Sequence, residues 1–265
     1  MDSIALLAMH EPTTAPPAVS DKPLICVVTP YHREPPAVLW RCHASVIGQS
    51  VEAHVVHIMV SDGEAEDNLD GWAIRHLRLP GNHGDYGNTP RAIGGMVAAS
   101  LGASFLAYLD ADNWFLPDHL AVMLAAYRQS RAAVICAQRL FFSPDEERLE
   151  IEEIAENALS HVDTSCYFLH RGAFDLNRVW SRMPKQLAGI GDRVFLQAVR
   201  HSHQGIHFTK NRSVAYTTTY ANHYEAIGRP PPPAAKSGSY AAELALLASR
   251  QGIEQSIQHL GFWPG

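Results

Sequence analysis

The sequence has few cysteines, no excess of basic residues and few long apolar runs, and each shortage argues against a class of protein. Its 265 residues include 4 cysteines and no CxxC pair, so neither a zinc ribbon nor a thioredoxin-like redox site is indicated. Lys and Arg number 21 against 27 Asp and Glu, which argues against nucleic acid or an anionic membrane as the main partner. Cysteines without an evident pairing fit a reducing compartment, so we expect a cytoplasmic protein.

One uncharged stretch, residues 92–109, reaches the length of a short membrane span. Its glycines and serines make it weakly hydrophobic, and Gly102 divides it. We therefore predict a buried helix that ends at this glycine, followed by a buried strand over Phe105–Leu109, and no transmembrane segment. Residues 1–22 lack the basic start and the apolar run of a signal peptide, so we expect a flexible leader there.

Most of the chain alternates short apolar runs with helical patterns. From Leu24 onward, strand-like runs such as LICVV, HVVHIMV and FLAYL are separated by helical spacing, which is typical of crossover units. We expect an α/β single domain with a mostly parallel, Rossmann-like sheet flanked by helices. After Gln138 the pattern loosens, with an acid-rich loop or surface helix at 144–156 and a helix predicted at 191–201.

The C-terminal part differs in composition from the rest. The run RPPPP favours an extended spacer, and apolar residues on either side of Gly252 predict two short amphipathic helices. We expect this tail to pack on the body or on another subunit, which would allow a homo-oligomer. The predicted division is a leader over 1–22, one domain over 23–228, and a spacer with a helical tail over 229–265.

Polar residues follow three of the predicted strands at the point where each strand ends. These segments are Thr29–Glu34, Ser61–Gly63 and Asp110–Asn113. Open α/β sheets bind ligands beyond the carboxyl ends of their strands. The sequence therefore predicts a charged ligand site at one rim of the sheet.

The strongest single feature is Asp110-Ala111-Asp112, directly after the apolar run FLAYL. Two carboxylates this close repel each other, and a divalent cation that bridges phosphate oxygens is the usual compensation. The alternative is that one carboxylate caps the next helix while the other is solvated. The buried strand before the pair favours the metal–phosphate site.

Five motifs in order resemble the family 2 glycosyltransferases with the GT-A fold. They are VTPYHRE, SDG, GNHGDYGNTPRAIGG, LDADNW and GDR, spread over residues 23–225. The resemblance implies a metal-dependent transfer of a sugar from a nucleoside-diphosphate sugar, of the UDP or GDP type, to an acceptor hydroxyl. It also implies a nucleotide-binding half over 23–139 and an acceptor half over 140–228.

The resemblance assigns a set of donor contacts and a ligand for Mn2+ or Mg2+. Asp112 is expected to bind the cation directly, and Arg91 to lie near the diphosphate. Asp85 could instead be the cap of a turn. The predicted donor-binding residues are Thr29, Pro30, Tyr31, Glu34, Asp62, Asp85, Arg91, Asp110, Ala111 and Asp112.

The predicted catalytic residue is Asp192, as the base of an inverting transfer. Many relatives carry Glu-Asp here, whereas this chain has Gly191 before the acid and Arg193 after it. The alternative is that Asp192 only caps the helix that follows. Asp163 either faces the acceptor or ends a loop, and Trp180 is either a platform under a sugar ring or part of the core.

A histidine in the late loop is often a further metal ligand in GT-A enzymes. The chain has 15 histidines, so most are bystanders. His223 is the predicted metal ligand because it follows the acid in a polar segment after a strand, and His207 is the second choice.

Two other activities share part of this pattern. A haloacid-dehalogenase-like phosphohydrolase also follows an apolar strand with DxD, but it expects Thr or Val where Trp114 stands. A catalytically degenerate partner subunit would bind the sugar nucleotide and never turn it over.

Overall fold

The structure, a computed structural model, describes residues 22–152 and 161–265. Its centre is a nine-stranded sheet in the order β3-β2-β1-β4-β8-β6-β9-β5, with β7 paired to β6. The predicted leader lies outside the described residues except for Lys22, and so does the end of the acid-rich segment. The strands are β1 (Leu24–Tyr31), β2 (His54–Ser61), β3 (Ile74–Arg78), β4 (Phe105–Tyr108), β5 (Trp114–Phe115), β6 (Val134–Phe142), β7 (Arg148–Leu149), β8 (Tyr167–His170) and β9 (Ile206–Thr217).

Helices cover the sheet, and several begin or end where the sequence predicts. The predicted helix at 191–201 is confirmed, and Gly102, with φ +76°, follows the helix that the sequence places before it. The helices are α1 (Pro36–Ile47), α2 (Asn88–Ser100), α3 (His119–Ser130), α4 (Arg178–Arg182), α5 (Gly191–His201), α6 (Ala221–Glu225), α7 (Ala241–Ala248) and α8 (Arg250–Leu260).

The sheet is parallel in its first half and mixed in its second half. β1, β2, β3 and β4 are parallel to their neighbours within this group, and β9 is parallel to β6. β8 lies antiparallel between β4 and β6, and β5 and β7 are antiparallel to their partners. To form a parallel strand, the chain must first cross back to the edge of the sheet at which the previous strand began. Instead, the chain enters β8 from the edge at which β6 ends, so β8 runs in the opposite direction. The prediction of a mostly parallel sheet therefore holds only approximately.

Close packing of α2 on the sheet determines where the glycine-rich segment lies. A Cβ atom on Gly94 would come within 2.4 Å of Val28 Cγ1, so only a glycine permits this approach. Residues Ile25 to Val28 of β1 are fully buried beneath the helix. The start of α2 is thereby held at the rim of the sheet, beside the ends of β1 and β2.

The C-terminal helices pack on the body of the domain. Leu247 of α7 is buried, and Trp263 Nε1 donates to its carbonyl oxygen at 2.9 Å. The predicted break at Gly252 lies earlier, at Ser249, whose hydroxyl oxygen accepts from Gly252 N at 3.0 Å and caps α8. A Cβ on Gly252 would fall 1.9 Å from the Leu246 carbonyl oxygen, so the glycine allows the first turn of α8 to lie close against the end of α7.

No helix within residues 22–152 and 161–265 combines the length and the apolar composition that a bilayer crossing requires. The four cysteines are buried, and none of them forms a disulfide. A homo-oligomer through the tail stays a prediction.

Candidate functional site

A cleft of about 670 Å³ opens at the rim where β1, β2 and β4 end and β8 begins. This is the position that the parallel half of the sheet dictates for a ligand. The cleft brings together most of the residues that the sequence singles out. The predicted site residues that line it are Pro30, Tyr31, Glu34, Asp62, Arg91, Asp110, Ala111, Asp112, Asp192 and His223.

Two predicted donor contacts are absent from the cleft lining that the described residues form. The Thr29 side chain is fully buried below it, and its hydroxyl lies 2.9 Å from His57 Nε2. Asp85 Oδ2 accepts from the backbone N–H of Thr89 at 2.9 Å and from its hydroxyl at 2.6 Å. Asp85 thus stabilises the first turn of α2, which is the alternative that the sequence left open.

The two candidate histidines lie far apart. His207 pairs with Ile135 near the start of β9, whereas the cleft lies at the other end of that strand, roughly 30 Å away at the spacing of extended residues. His207, the second choice as metal ligand in the sequence analysis, therefore cannot reach a cation in the cleft. His223 lines the cleft, and its Nδ1 is 2.6 Å from the Thr218 hydroxyl.

At one end of the cleft, Asp62 holds the glycine-rich segment in place. Its carboxylate, 4% exposed for the residue, accepts from His83 N at 3.0 Å and lies 2.6 Å from His83 Nδ1. Gly87 has φ +79°, and its Cβ position is 3.0 Å from Pro30 Cγ, so a larger residue would push the segment off β1. Asp62 therefore shapes the part of the cleft that lies beside the glycine-rich segment.

Arg91 is fixed in the middle of the cleft. It is 3% exposed, and its Nη2 donates to Asp110 Oδ1 at 2.7 Å, while its Nη1 donates to Asn88 Oδ1 at 3.1 Å. Its guanidinium carbon lies 4.8 Å from the centre of the Trp180 ring, which in turn stacks on Phe195. Trp180 thus belongs to the core, and its ring supports the Arg91 guanidinium at the cleft.

Asp112 is the most perturbed carboxylate of the rim. Its side chain opens into the cleft, where desolvation by the surrounding walls, together with the charges of Asp110, Asp163 and Glu34, raises its pKa to about 7. Its backbone is held firmly, because the Asp112 carbonyl oxygen accepts from Arg41 Nη2 at 2.7 Å. The rim thus concentrates negative charge around a carboxylate whose backbone is fixed.

This arrangement fits a divalent cation that shares its ligands with a bound phosphate. Within the described residues, no three His, Cys, Asp or Glu side chains converge to hold a metal ion by themselves. Asp112 and His223 both line the cleft, and Mg2+ typically takes one or two carboxylates plus substrate phosphates and water. A cation beside Asp112 would also relieve the repulsion that raises its pKa.

Asp192 lies in the first turn of α5 and carries a partner that sequence reasoning missed. Its Oδ2 forms a short hydrogen bond with His161 Nε2, and its Oδ1 accepts from Arg193 N at 2.7 Å. Burial alone would raise the pKa of this carboxyl, but the hydrogen bond and charge of His161, with the Arg193 contacts, hold it below its ordinary value. The cap position of α5 is Ile190, so capping is not the role of Asp192.

A buried ion pair between Arg139 and Asp163 was also not predicted from the sequence. Arg139 Nη1 lies 3.4 Å from Asp163 Oδ2, and both residues line the cleft. Burial raises the pKa of Asp163 to about 6, against the lowering effect of Arg139. From the sequence, Asp163 was expected either to face the acceptor or to end a loop. In the structure it lines the cleft.

The order of the strands and the acidic cleft at their carboxyl ends define a protein of the GT-A glycosyltransferase fold. The chain is similar to the structure of residues 1–349 of S. aureus TarS, with a TM-score of 0.56 and 13% identity, over 77% of this chain and 63% of that one. It is also similar to the same protein in complex with UDP, with a TM-score of 0.57 and 12% identity, over 90% and 72% of the two chains.

The chain belongs to glycosyl transferase family 2, whose profile matches residues 26–182. It is also 35% identical over 107 residues to the succinoglycan biosynthesis protein ExoW of Rhizobium meliloti (strain 1021). That match covers 36% of this chain and 31% of the relative, so it spans less than a third of the relative's length. Asp192 and His223 lie beyond the residues that the family profile matches.

Proposed function

We propose that this protein transfers a sugar from a nucleoside-diphosphate sugar to an acceptor hydroxyl, with inversion at the anomeric carbon. The observation that carries the proposal is that one cleft contains a fixed arginine, a crowded carboxylate and a separate carboxylate with a lowered pKa. These are Arg91, Asp112 and Asp192. The UDP complex of TarS, which has the same fold, supports a uridine nucleotide as the donor.

In the proposed reaction, the bond between the anomeric carbon and the diphosphate oxygen breaks while the acceptor oxygen forms a bond to that carbon. The acceptor proton passes to Asp192, which its lowered pKa keeps ionised and ready to accept it. Arg91 lies where the departing diphosphate gains charge. When bound by Asp112 and His223, a divalent cation supplies further neutralisation of that charge.

His161 has a supporting role in this proposal. Its ring holds Asp192 Oδ2, while Arg193 N holds Oδ1, so the carboxylate has one orientation. A general base that is already oriented avoids the cost of reorganising during the reaction.

The phosphohydrolase alternative is disfavoured by Asp110. In that chemistry the first Asp must be a free nucleophile, whereas here it is bound to the buried guanidinium of Arg91 at 2.7 Å. The remaining alternative is a partner subunit without activity. Only a turnover assay distinguishes it from the proposed transferase.

Thermal unfolding with UDP or GDP, with and without Mn2+, tests the binding part of the proposal. We expect UDP with Mn2+ at about one hundred times its Kd to stabilise the protein by about 2.7 kcal/mol. Asp112→Asn should lose the part of the shift that requires the cation. Asp118→Asn, an exposed acid at the start of α3, is the matched control and should keep it.

Release of nucleoside diphosphate from a panel of sugar nucleotides tests the chemical part. We expect turnover with at least one donor and its loss in Asp192→Asn, with UDP binding retained. Binding of UDP and Mn2+ without turnover of any donor would support the partner subunit instead. If neither nucleotide stabilises the protein in the presence of Mn2+, the proposal is wrong.

A further inference from the structure

Four side chains form one continuous wall of the cleft beside Asp192, and we call them the C-terminal wall: Arg193, Tyr220, Lys236 and Tyr240. Arg193 Cζ lies 5.9 Å from the centre of the Tyr240 ring, and Lys236 Nζ lies 5.6 Å from the centre of the Tyr220 ring. The two ring centres are 6.4 Å apart. All four side chains line the cleft.

Backbone hydrogen bonds hold the C-terminal wall in position. Lys236 N donates to the Thr219 carbonyl oxygen at 2.8 Å, and Ala221 N donates to the Lys236 carbonyl oxygen at 2.9 Å. Gly238, with φ +66°, then passes so close to Asn222 that a Cβ would lie 2.9 Å from its side-chain oxygen. The segment after the proline run is thus tied to the end of β9 and returns Tyr240 to the cleft.

The two cations of the wall have no carboxylate within 4 Å among the residues that the structure describes. Elsewhere in the cleft, the carboxylates of Asp110, Asp112 and Asp163 outnumber the cations. Arg193 is half-buried and Lys236 is exposed, so both cations are open to a ligand in the cleft. In a chain with a net charge of -6, two neighbouring cations at this position favour an anionic ligand.

We propose that the C-terminal wall binds the acceptor, and that this acceptor is a glycan that carries a carboxylate or a phosphate. The inference rests on the proposed function. Arg193 directly follows the proposed base, so the wall lies on the side from which an acceptor hydroxyl must approach. The donor diphosphate is met by Arg91 and the Asp112 region at the end of β4. Arg193 is suited to a planar carboxylate and Lys236 to a compact charge, while tyrosine rings bind sugar faces.

Binding of the UDP–Mn2+-loaded protein to an array of neutral, uronic-acid and phosphate-bearing glycans tests the proposal. The wild type should bind acidic glycans at least about tenfold more tightly than neutral glycans of the same length. Arg193→Gln and Lys236→Gln should each remove about tenfold of that affinity and leave the Kd for UDP with Mn2+ unchanged. Arg182→Gln and Lys210→Gln, which alter exposed cations outside the cleft, are the matched controls.

The other outcomes separate this inference from the proposed function. Equal or stronger binding of neutral glycans, or no glycan binding by a protein that still binds UDP and Mn2+, overturns the acidic acceptor. A loss of UDP affinity in Arg193→Gln or Lys236→Gln assigns the wall to the donor and also overturns it. A wild type that fails to bind UDP and Mn2+ contradicts the proposed function itself.

Discussion

Replacing Asp112 by Asn should stabilise the metal-free protein at neutral and alkaline pH. The pKa of the Asp112 carboxyl rises from 3.8 to about 7 on folding, so the folded state binds more protons than the unfolded state between these values. Stability is therefore lost as the pH rises through this interval, and the loss is complete above about pH 7. An amide of the same shape carries no charge and does not suffer this loss.

The size of the gain follows from the same two pKa values. The step from 3.8 to about 7 corresponds to about 4 kcal/mol for a fully desolvated carboxyl. Because the Asp112 side chain opens to water in the cleft, we expect screening to leave about a third of this, or about 1 to 1.5 kcal/mol. A gain of that size raises the Tm of a domain this long by about 2 to 6 °C.

Thermal unfolding in the presence of a chelator measures this difference at about pH 8 and about pH 5. At about pH 5 only about a third of the interval has been crossed, so the gain from Asp112→Asn should shrink in proportion. Asp118→Asn should change stability by less than about 0.5 kcal/mol at both values.

Two results would refute the reasoning about Asp112. One is an Asn variant that is no more stable than the wild type at about pH 8. The other is a gain of the same size at both pH values, because a charge-independent packing change would then explain it. Agreement would show that the ionised Asp112 carboxylate destabilises the metal-free cleft, an effect that a bound cation can offset.

Two further predictions concern the base and the packing of α2. His161→Gln should move the acid limb of the pH–rate profile to higher pH, since the pKa of Asp192 rises when its partner is neutral; an unmoved limb with reduced kcat would indicate a purely structural role. Gly95→Ala should destabilise the fold by about 2 to 4 kcal/mol in urea unfolding, because the new Cβ would lie 2.2 Å from Asn177 Oδ1, in an amide that is hydrogen-bonded at both ends. Gly71→Ala, which meets nothing within 4 Å, is its control, and equal effects of the two substitutions would contradict the clash.

The first half of the fold could be predicted from the sequence because periodicity and the strand-end rule agree there. Apolar strands separated by helical spacing predict parallel neighbours, and polar residues after those strands predict the rim. Asp110 and Asp112, which follow one of these strands, both line the cleft at the rim.

The rule fails for β8, and the reason is geometrical. Because β8 is antiparallel, the residues that precede it, and not those that follow it, lie at the rim. Ser165 illustrates this, since its hydroxyl oxygen accepts from Asp110 N at 3.2 Å and from Asn113 Nδ2 at 3.0 Å. His161 comes just before the same strand and was missed for this reason. Strand direction is set by tertiary contacts, which no local pattern in the sequence encodes.

The contribution of the C-terminal segment was also missed, because a proline run was interpreted only as a spacer. Four consecutive prolines, residues 230–233, lie between the two ends of the loop that the Thr219–Lys236 hydrogen bond closes. Each proline removes backbone freedom from the unbound chain. The loop is therefore rigid, and it positions Lys236 and Tyr240 before a ligand binds. A ligand that meets them need not spend binding energy on ordering the protein, which favours selection by shape and charge over adaptation.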